Sequence, residues 1–209
     1  MDAEKKLQAI NVSCVRQQKK LFSDLSFTLT AGELLLIEGQ NGAGKSSLLR
    51  LLSGLATPFS GDVFWQGESI HSARAAYHEQ LHYMGHSNGI KLGLTVSENL
   101  ELAAHLSSSR IPSFENILES LQLSSYQNTL ASYLSAGQKR RIALAKLFLY
   151  PKMIWLLDEP LTALDKHTQS IFLAQLKLHL KNGGIAIVSS HHTIHVDQAV
   201  IHTLRLESC

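Results

Sequence analysis

Cysteine is nearly missing from this chain. The two that occur among 209 residues, Cys14 and Cys209, stand at opposite ends. That spacing excludes a disulfide framework and points to a reducing compartment. No uninterrupted apolar run approaches the ~18 residues of a membrane-crossing helix, so the chain is not expected to cross a bilayer by itself. The opening residues lack the apolar core of a signal peptide. An excess of one charge is missing too: 19 Lys and Arg against 17 Asp and Glu leave a net +2, too balanced to argue for a nucleic acid partner. There is no internal repeat, no low-complexity linker and no second phosphate loop. What is present is a 44% hydrophobic composition, enough for one substantial core with a small appended lobe.

The most specific pattern is Gly39-Gln40-Asn41-Gly42-Ala43-Gly44-Lys45-Ser46, a match to G-x-x-x-x-G-K-[ST]. Backbone N–H groups can surround a polyphosphate only where no Cβ intrudes, hence the glycines. The run Leu34-Leu35-Leu36-Ile37 before it reads as a buried parallel strand. Leu48, Leu49, Leu51, Leu52 and Leu55 after it fall at helical spacing. Strand, glycine loop and helix form the context that the motif requires. The helix N-terminus, with Ser47 in its first turn, then faces the phosphates. Lys45 is expected on the β- and γ-phosphates and the Ser46 hydroxyl on Mg²⁺.

Two further apolar runs end in polar chemistry. Met153-Ile154-Trp155-Leu156-Leu157 leads into Asp158-Glu159-Pro160, and Ile185-Ala186-Ile187-Val188 into Ser189-Ser190-His191-His192. Adjacent carboxylates at a buried strand end are unfavourable unless a cation or a reaction uses them. Asp158 is therefore assigned to the Mg²⁺ shell, Glu159 to the attacking water as general base, and His191 to sensing the γ-phosphate. Parallel α/β sheets bind ligands at the carboxyl ends of their strands, so the three ends can converge on one nucleotide. His191, His192 and His195 could also suggest a metal site, but no cysteine or carboxylate cluster accompanies them. The remaining histidines read as surface or packing residues.

Leu134-Ser135-Ala136-Gly137-Gln138 contains the capping-box pattern S-x-x-Q. A helical pattern follows, with Ile142, Ala145 and Leu149 on one face. Ser135, Gly137 and Gln138 thus form a second helix N-terminus suited to anions, and Lys139, Arg140 and Arg141 read as making it more positive. An ordinary capped helix would carry the same residues. Between the two anion sites, residues 92–133 read as helical, with a capping box at Thr95…Glu98 and a helix begun or broken at Pro112 before Ile117, Leu118 and Leu121.

The set Gly39–Ser46, Leu134–Gln138, Met153–Glu159, Ala163-Leu164-Asp165 and His191 resembles the nucleotide-binding domain of ABC ATPases over nearly the whole chain. The resemblance implies an α/β fold of the P-loop type. Its mainly parallel, helix-flanked core would come from about 31–57 and 150–209. An antiparallel β lobe would come from about 1–30 and 59–70, and a helical lobe from about 92–149, all in one domain. It also implies a head-to-tail homodimer with two ATP, each between the phosphate loop of one copy and Ser135 and Gly137 of the other, with Asp165 in the loop linking the sites. Phrases such as Tyr83-Met84-Gly85-His86-Ser87-Asn88-Gly89-Ile90-Lys91, with Leu94-Thr95 and Glu98-Asn99-Leu100 after it, resemble the CcmA family more narrowly. These are the ATPase subunits of bacterial cytochrome c maturation.

That closer resemblance implies integral membrane partners similar to CcmB, CcmC and CcmD, and release of a haem-loaded chaperone similar to CcmE. It also implies a peripheral location on the cytoplasmic face of the inner membrane. His86 stands where most ABC ATPases have a glutamine on Mg²⁺ and water, and Arg16 where an aromatic residue usually stacks on adenine. A guanidinium can also stack on a π face. Competing readings are the ATPase of another small exporter, a soluble ABC regulator without a permease, and a small-molecule P-loop kinase.

Overall fold

The computed structural model describes residues 5–106, 113–191, 194–196 and 199–207; Pro112, His192 and Cys209 lie outside them. The chain divides into two compact units, Met1–His86 with Lys152–Pro160 and Leu176–Cys209, and Ser87–Pro151 with Leu161–Gln175. Among the described residues no helix is long and apolar enough to cross a membrane.

The first unit holds two sheets. Strands β1 (Lys6–Arg16), β2 (Lys19–Thr30), β4 (Ser60–Trp65) and β5 (Glu68–Ser69) pair antiparallel in the order β2-β1-β4-β5. Strands β3 (Glu33–Glu38), β6 (Leu81–Met84), β7 (Ile154–Asp158), β8 (Ile185–Ser189) and β9 (Val200–Arg205) pair parallel in the order β6-β7-β8-β3-β9. Every residue of β7 and β8 is buried. This is why both read as unbroken apolar runs, as interior parallel strands do. Edge strand β9 is mostly exposed, and its sequence is correspondingly mixed.

Helix α1 (Lys45–Leu52) packs on β7, β8 and β1. Leu48, Leu49, Leu51 and Leu52 enter a single core with Leu35, Ile37, Leu156 and Ile187 from the parallel sheet and Leu7, Val12, Leu29 and Val63 from the antiparallel one. Leu55, placed on the helix by its spacing, lies beyond the helix end and is exposed. Gly54 takes a positive φ there, and helix α2 (Arg74–Glu79) closes off the carbonyls of α1. Tyr77 Oη donates to Leu52 O at 2.6 Å, and a ring nitrogen of His78 lies 2.9 Å from Ser53 O.

Within the second unit, helices α3 (Val96–Leu106) and α4 (Glu115–Ser120) pack against α5 (Ala136–Leu149). The Thr95 capping box is formed: Glu98 N donates to Thr95 Oγ1, and Thr95 N to Glu98 Oε2. Fully buried Asn99 braces the preceding turn, accepting from Lys91 N and donating to the carbonyls of Lys91, Leu94 and Thr95. Helix α6 (Lys166–Lys181) begins in this unit and ends in the first.

Candidate nucleotide-binding site

The site in the first unit is built on strand register. Ile37 of β3 and Asp158 of β7 both stand opposite Ser189 of β8, so three strands end on one line. The loop from Gly39 to Gly44 leaves β3 here and enters α1. Gly39 and Gly44 have φ of 148° and 103°. A Cβ at Gly39 would lie 2.5 Å from Leu206 O, and one at Gly44 would lie 3.2 Å from the Phe22 ring. At Gly39 a backbone carbonyl as well as the dihedral therefore requires glycine, and at Gly44 the dihedral favours it. Gly42 has open space where its Cβ would project.

Lys45 is buried at the first helical position and curls over the loop. Its Nζ donates to Gly39 O at 2.7 Å and Gln40 O at 3.3 Å. Ala43 N donates to Gln40 O, which tightens the turn. Ser46 is exposed, Ser47 is half-buried, and α1 has no acidic residue in its first turn. A helix N-terminus without acidic side chains, carrying a lysine and a hydroxyl, fits a polyphosphate.

At the other two strand ends, Ser189 is the junction. Its buried hydroxyl donates to Asp158 Oδ1 at 2.6 Å and accepts from Glu159 N at 3.1 Å. Glu159 N also donates to Ser189 O. Asp158 is almost fully buried, and Glu159 adopts φ of 50°, a left-handed conformation uncommon for a non-glycine residue. His191 closes the group. Its backbone N donates to Glu159 Oε2 at 3.4 Å. Its Nε2 lies 2.9 Å from Asn41 Oδ1, 3.3 Å from Lys45 Nζ and 3.4 Å from Glu159 Oε1. One ring nitrogen cannot serve all three. Protonated, it donates to the oxygens; bare, it accepts from the lysine. The imidazole thus ties the phosphate loop to the acidic strand end.

Ser46 and Asp158 are hard oxygen donors of the kind Mg²⁺ takes alongside phosphate oxygens. Among the described residues, no three His, Cys, Asp or Glu side chains gather to hold a metal by themselves. His86 is exposed, two residues past β6; since Met84 pairs with Leu157, it follows the strand beside the one ending in Asp158. Arg16 ends β1 opposite Lys19, across a tight turn in which Gln17 and Gln18 both have positive φ, and it is exposed.

In the second unit the Ser135 capping box is complete: Gln138 N donates to Ser135 Oγ at 3.2 Å and Ser135 N to Gln138 Oε1 at 2.8 Å. Ser135 is exposed and Gly137 half-buried. The basic run beside them is not the open positive patch its sequence suggests. Arg140 is buried and donates to Asn88 Oδ1 at 2.9 Å. Arg141 pairs with Asp165 and also donates to Leu121 O and Gln122 Oε1. Asp165 in turn accepts from Thr168 N at the start of α6. That bond, more than the guanidinium, holds its carboxyl below the usual carboxylate range. Ser189 and the Arg141–Asp165 pair were not singled out in the sequence as working together. The one local sign of Ser189 is a hydroxyl closing a buried apolar run.

Residues 22–162 match the ABC transporter family. The cytochrome c biogenesis ATP-binding export protein CcmA of Vibrio cholerae is 41% identical, with 96% of this chain and 98% of that protein covered. The CcmA proteins of an Escherichia coli O6:H1 strain and of Dechloromonas aromatica are 42% and 41% identical over similar shares, 96% of this chain and 96% and 99% of theirs. Among solved structures, the ATP-binding subunit of an ABC transporter superposes with a TM-score of 0.84 at 22% identity, covering 96% of this chain and 87% of that one. A dimeric bacterial ABC transporter cassette gives 0.80 at 24%, covering 97% and 96%; both show the fold. A phosphate loop, an Asp-Glu strand end and a histidine joined by hydrogen bonds, on a sheet of this order and with relatives of this identity, lead to one assignment: the chain belongs to the ABC transporter family as an ATP-hydrolysing subunit, closely related to the CcmA proteins of cytochrome c biogenesis.

Proposed function

We propose that the whole chain works as one ATPase domain, that two copies close head-to-tail on two ATP, and that hydrolysis drives a membrane complex of cytochrome c maturation. The observation that carries the chemistry is the junction of Asn41, Lys45, Glu159 and His191 at the ends of β3, β7 and β8. Lys45 neutralises charge on the β- and γ-phosphates as it leaves the loop carbonyls. Glu159, held by both the backbone and the ring of His191, takes the proton of the attacking water. His191 registers the γ-phosphate through its position beside Lys45 and Asn41. Ser46 and Asp158 would hold Mg²⁺, which when bound would supply neutralisation of phosphate charge. Gly39–Ser47 cradle the nucleotide, and Ser135, Gly137 and Gln138 face the ATP of the partner copy. His86 belongs to the same Mg²⁺ and water environment, and Arg16 stacks on the adenine.

The identity to CcmA proteins supports integral membrane subunits similar to CcmB, CcmC and CcmD as partners. It likewise supports release of haem or of a haem-loaded CcmE-like chaperone as the output, from the cytoplasmic face of a bacterial inner membrane. ATP closes the pair of copies, and loss of the γ-phosphate contacts reopens it.

The test is affinity purification of tagged Glu159→Gln chain from its native membranes in mild detergent. Mass spectrometry and visible absorbance are expected to find small polytopic partners and a haem-bearing chaperone, and the variant is expected to trap an ATP-bound dimer. A different permease would discard the maturation pathway. Rapid turnover by Glu159→Gln would refute the general base, and normal turnover by Lys45→Ala would refute the cradle.

A further inference from the structure

Inside the second unit, the segment Leu161–Asp165 is fastened to the beginning of α5 at two points. The first is Gly137. A Cβ there would lie 2.8 Å from Ala163 O, so the carbonyl of Ala163 rests against a position that only glycine leaves open. Ala163 holds φ of 63° to bring it there, a left-handed conformation unfavourable for alanine. The second point is Arg141. Its Nη2 donates to Asp165 Oδ2 while Nη1 donates to Leu121 O and Gln122 Oε1. Gly137 and Arg141 are four residues apart, so both points lie on one face of the helix. Asp165 uses its other oxygen to accept from Thr168 N, so a single carboxylate joins α5 to the start of α6.

We propose that Arg141 is a positioning residue: with Gly137 it clamps residues 161–165 to the first turn of α5, so that the Ser135 cap and this loop move as one body. The consequence rests on the reading that Ser135 and Gly137 face the partner copy's ATP and that the loop around Asp165 links the two sites. Under that reading, a change at either site displaces both halves of the clamp and is passed to the other site. An Arg–Asp pair that only stabilised helix packing would have no such effect.

Asp165→Asn separates the two roles. Asparagine keeps an acceptor for Thr168 N and caps nearly as well as aspartate, but it has no charge for Arg141. Two measurements on the full chain test the clamp. In the nucleotide-free chain, hydrogen exchange in Asp165→Asn, in Arg141→Ala and in the double variant is expected to speed up in residues 135–141 and 161–168 together, with the double variant close to Arg141→Ala alone, which also loses the bonds to Leu121 and Gln122. Acceleration confined to one segment, or additive effects, would overturn the proposal. In turnover, each variant is expected to lower kcat about three- to tenfold and bring the Hill coefficient toward about 1. Affinity for a fluorescent ATP analogue at the phosphate loop should stay within about twofold of the parent. Unchanged kcat and cooperativity in variants with the altered exchange would reduce the pair to a structural contact and overturn it. If Glu159→Gln fails to dimerise on ATP, the two-copy reading falls, while the exchange measurement still decides the clamp.

Discussion

Ser189→Ala isolates the residue on which the acidic strand end hangs. The substitution removes one oxygen from a fully buried site, so the cavity term is small and the change is almost purely one of hydrogen bonding. Two partners are affected unequally. Glu159 N keeps its bond to Ser189 O and loses only the shared one to Oγ. Asp158 Oδ1 loses a donor at 2.6 Å, a length typical of a hydroxyl on an ionised carboxylate. A bond to a buried charge contributes about 1.5–3 kcal/mol, so Ser189→Ala is expected to destabilise the first unit by roughly 2 kcal/mol. The acceptor can be removed separately. In an Asp158→Ala background the hydroxyl has no charge to serve, and Ser189→Ala should then cost no more than about 0.5 kcal/mol.

Urea unfolding followed by tryptophan fluorescence reads this directly. Trp155 is buried on β7 three residues before Asp158, and the other tryptophan, Trp65, lies on β4. Activity should fall alongside stability, since Ser189 also holds the backbone of the left-handed Glu159; a loss of about tenfold in kcat is expected. Should Ser189→Ala cost under about 0.5 kcal/mol, or cost as much with Asp158 absent as with it present, the view of Ser189 as the organiser of this strand end would be refuted.

Ser135→Asp separates helix capping from anion binding, because aspartate caps as well as serine and complements the helix dipole. Stability by urea unfolding should stay within about 0.5 kcal/mol, while ATP-induced dimerisation in the Glu159→Gln chain, followed by size-exclusion chromatography, is lost; a dimer of parental strength would show that Ser135 is only a cap. His179 gives a pH signature. Its ring stacks on Trp155 at 4.0 Å, lies 3.2 Å from Ile185 O, and is pushed by burial down to about 4, against 6.5 unperturbed, with the Ile185 carbonyl opposing the shift. The unfolded chain therefore takes up a proton before the folded one does, so stability present above pH 6.5 is lost as pH falls toward about 4, by at most about 3 kcal/mol. His179→Phe keeps a ring on Trp155 and should flatten that part of the stability–pH curve; an unchanged slope would contradict the assignment.

The parts legible in the sequence were those whose form is set locally. The runs at 34–37, 154–157 and 185–188 are apolar at nearly every position because the strands they form are interior. The Ser135–Gln138 and Thr95–Glu98 boxes are three-residue devices. Reading failed where a partner lies far along the chain. Leu55 continued the leucine spacing, but α1 stops where Tyr77 and His78, 25 residues on, take its carbonyls. Arg140 and Arg141 looked like free surface charge because Asn88 and Asp165, 52 and 24 residues away, are invisible to a local pattern.

Asp158 and Glu159 show the same division within two adjacent residues. Their identities announced metal and base chemistry, but consecutive residues of a strand point to opposite faces, which would have kept the two carboxylates apart. Strand β7 ends at Asp158, and Glu159 turns at φ of 50°. Asp158 then meets Ser189 while Glu159 meets His191, two residues further on from Ser189. Both carboxylates thereby stay at the end of the same strand, against Ser189 and His191. A left-handed turn at a non-glycine residue leaves no mark in composition or spacing. It is held in place by the hydroxyl and carbonyl of Ser189, so the carboxylate we propose as the base depends on a serine thirty residues away as much as on its own side chain.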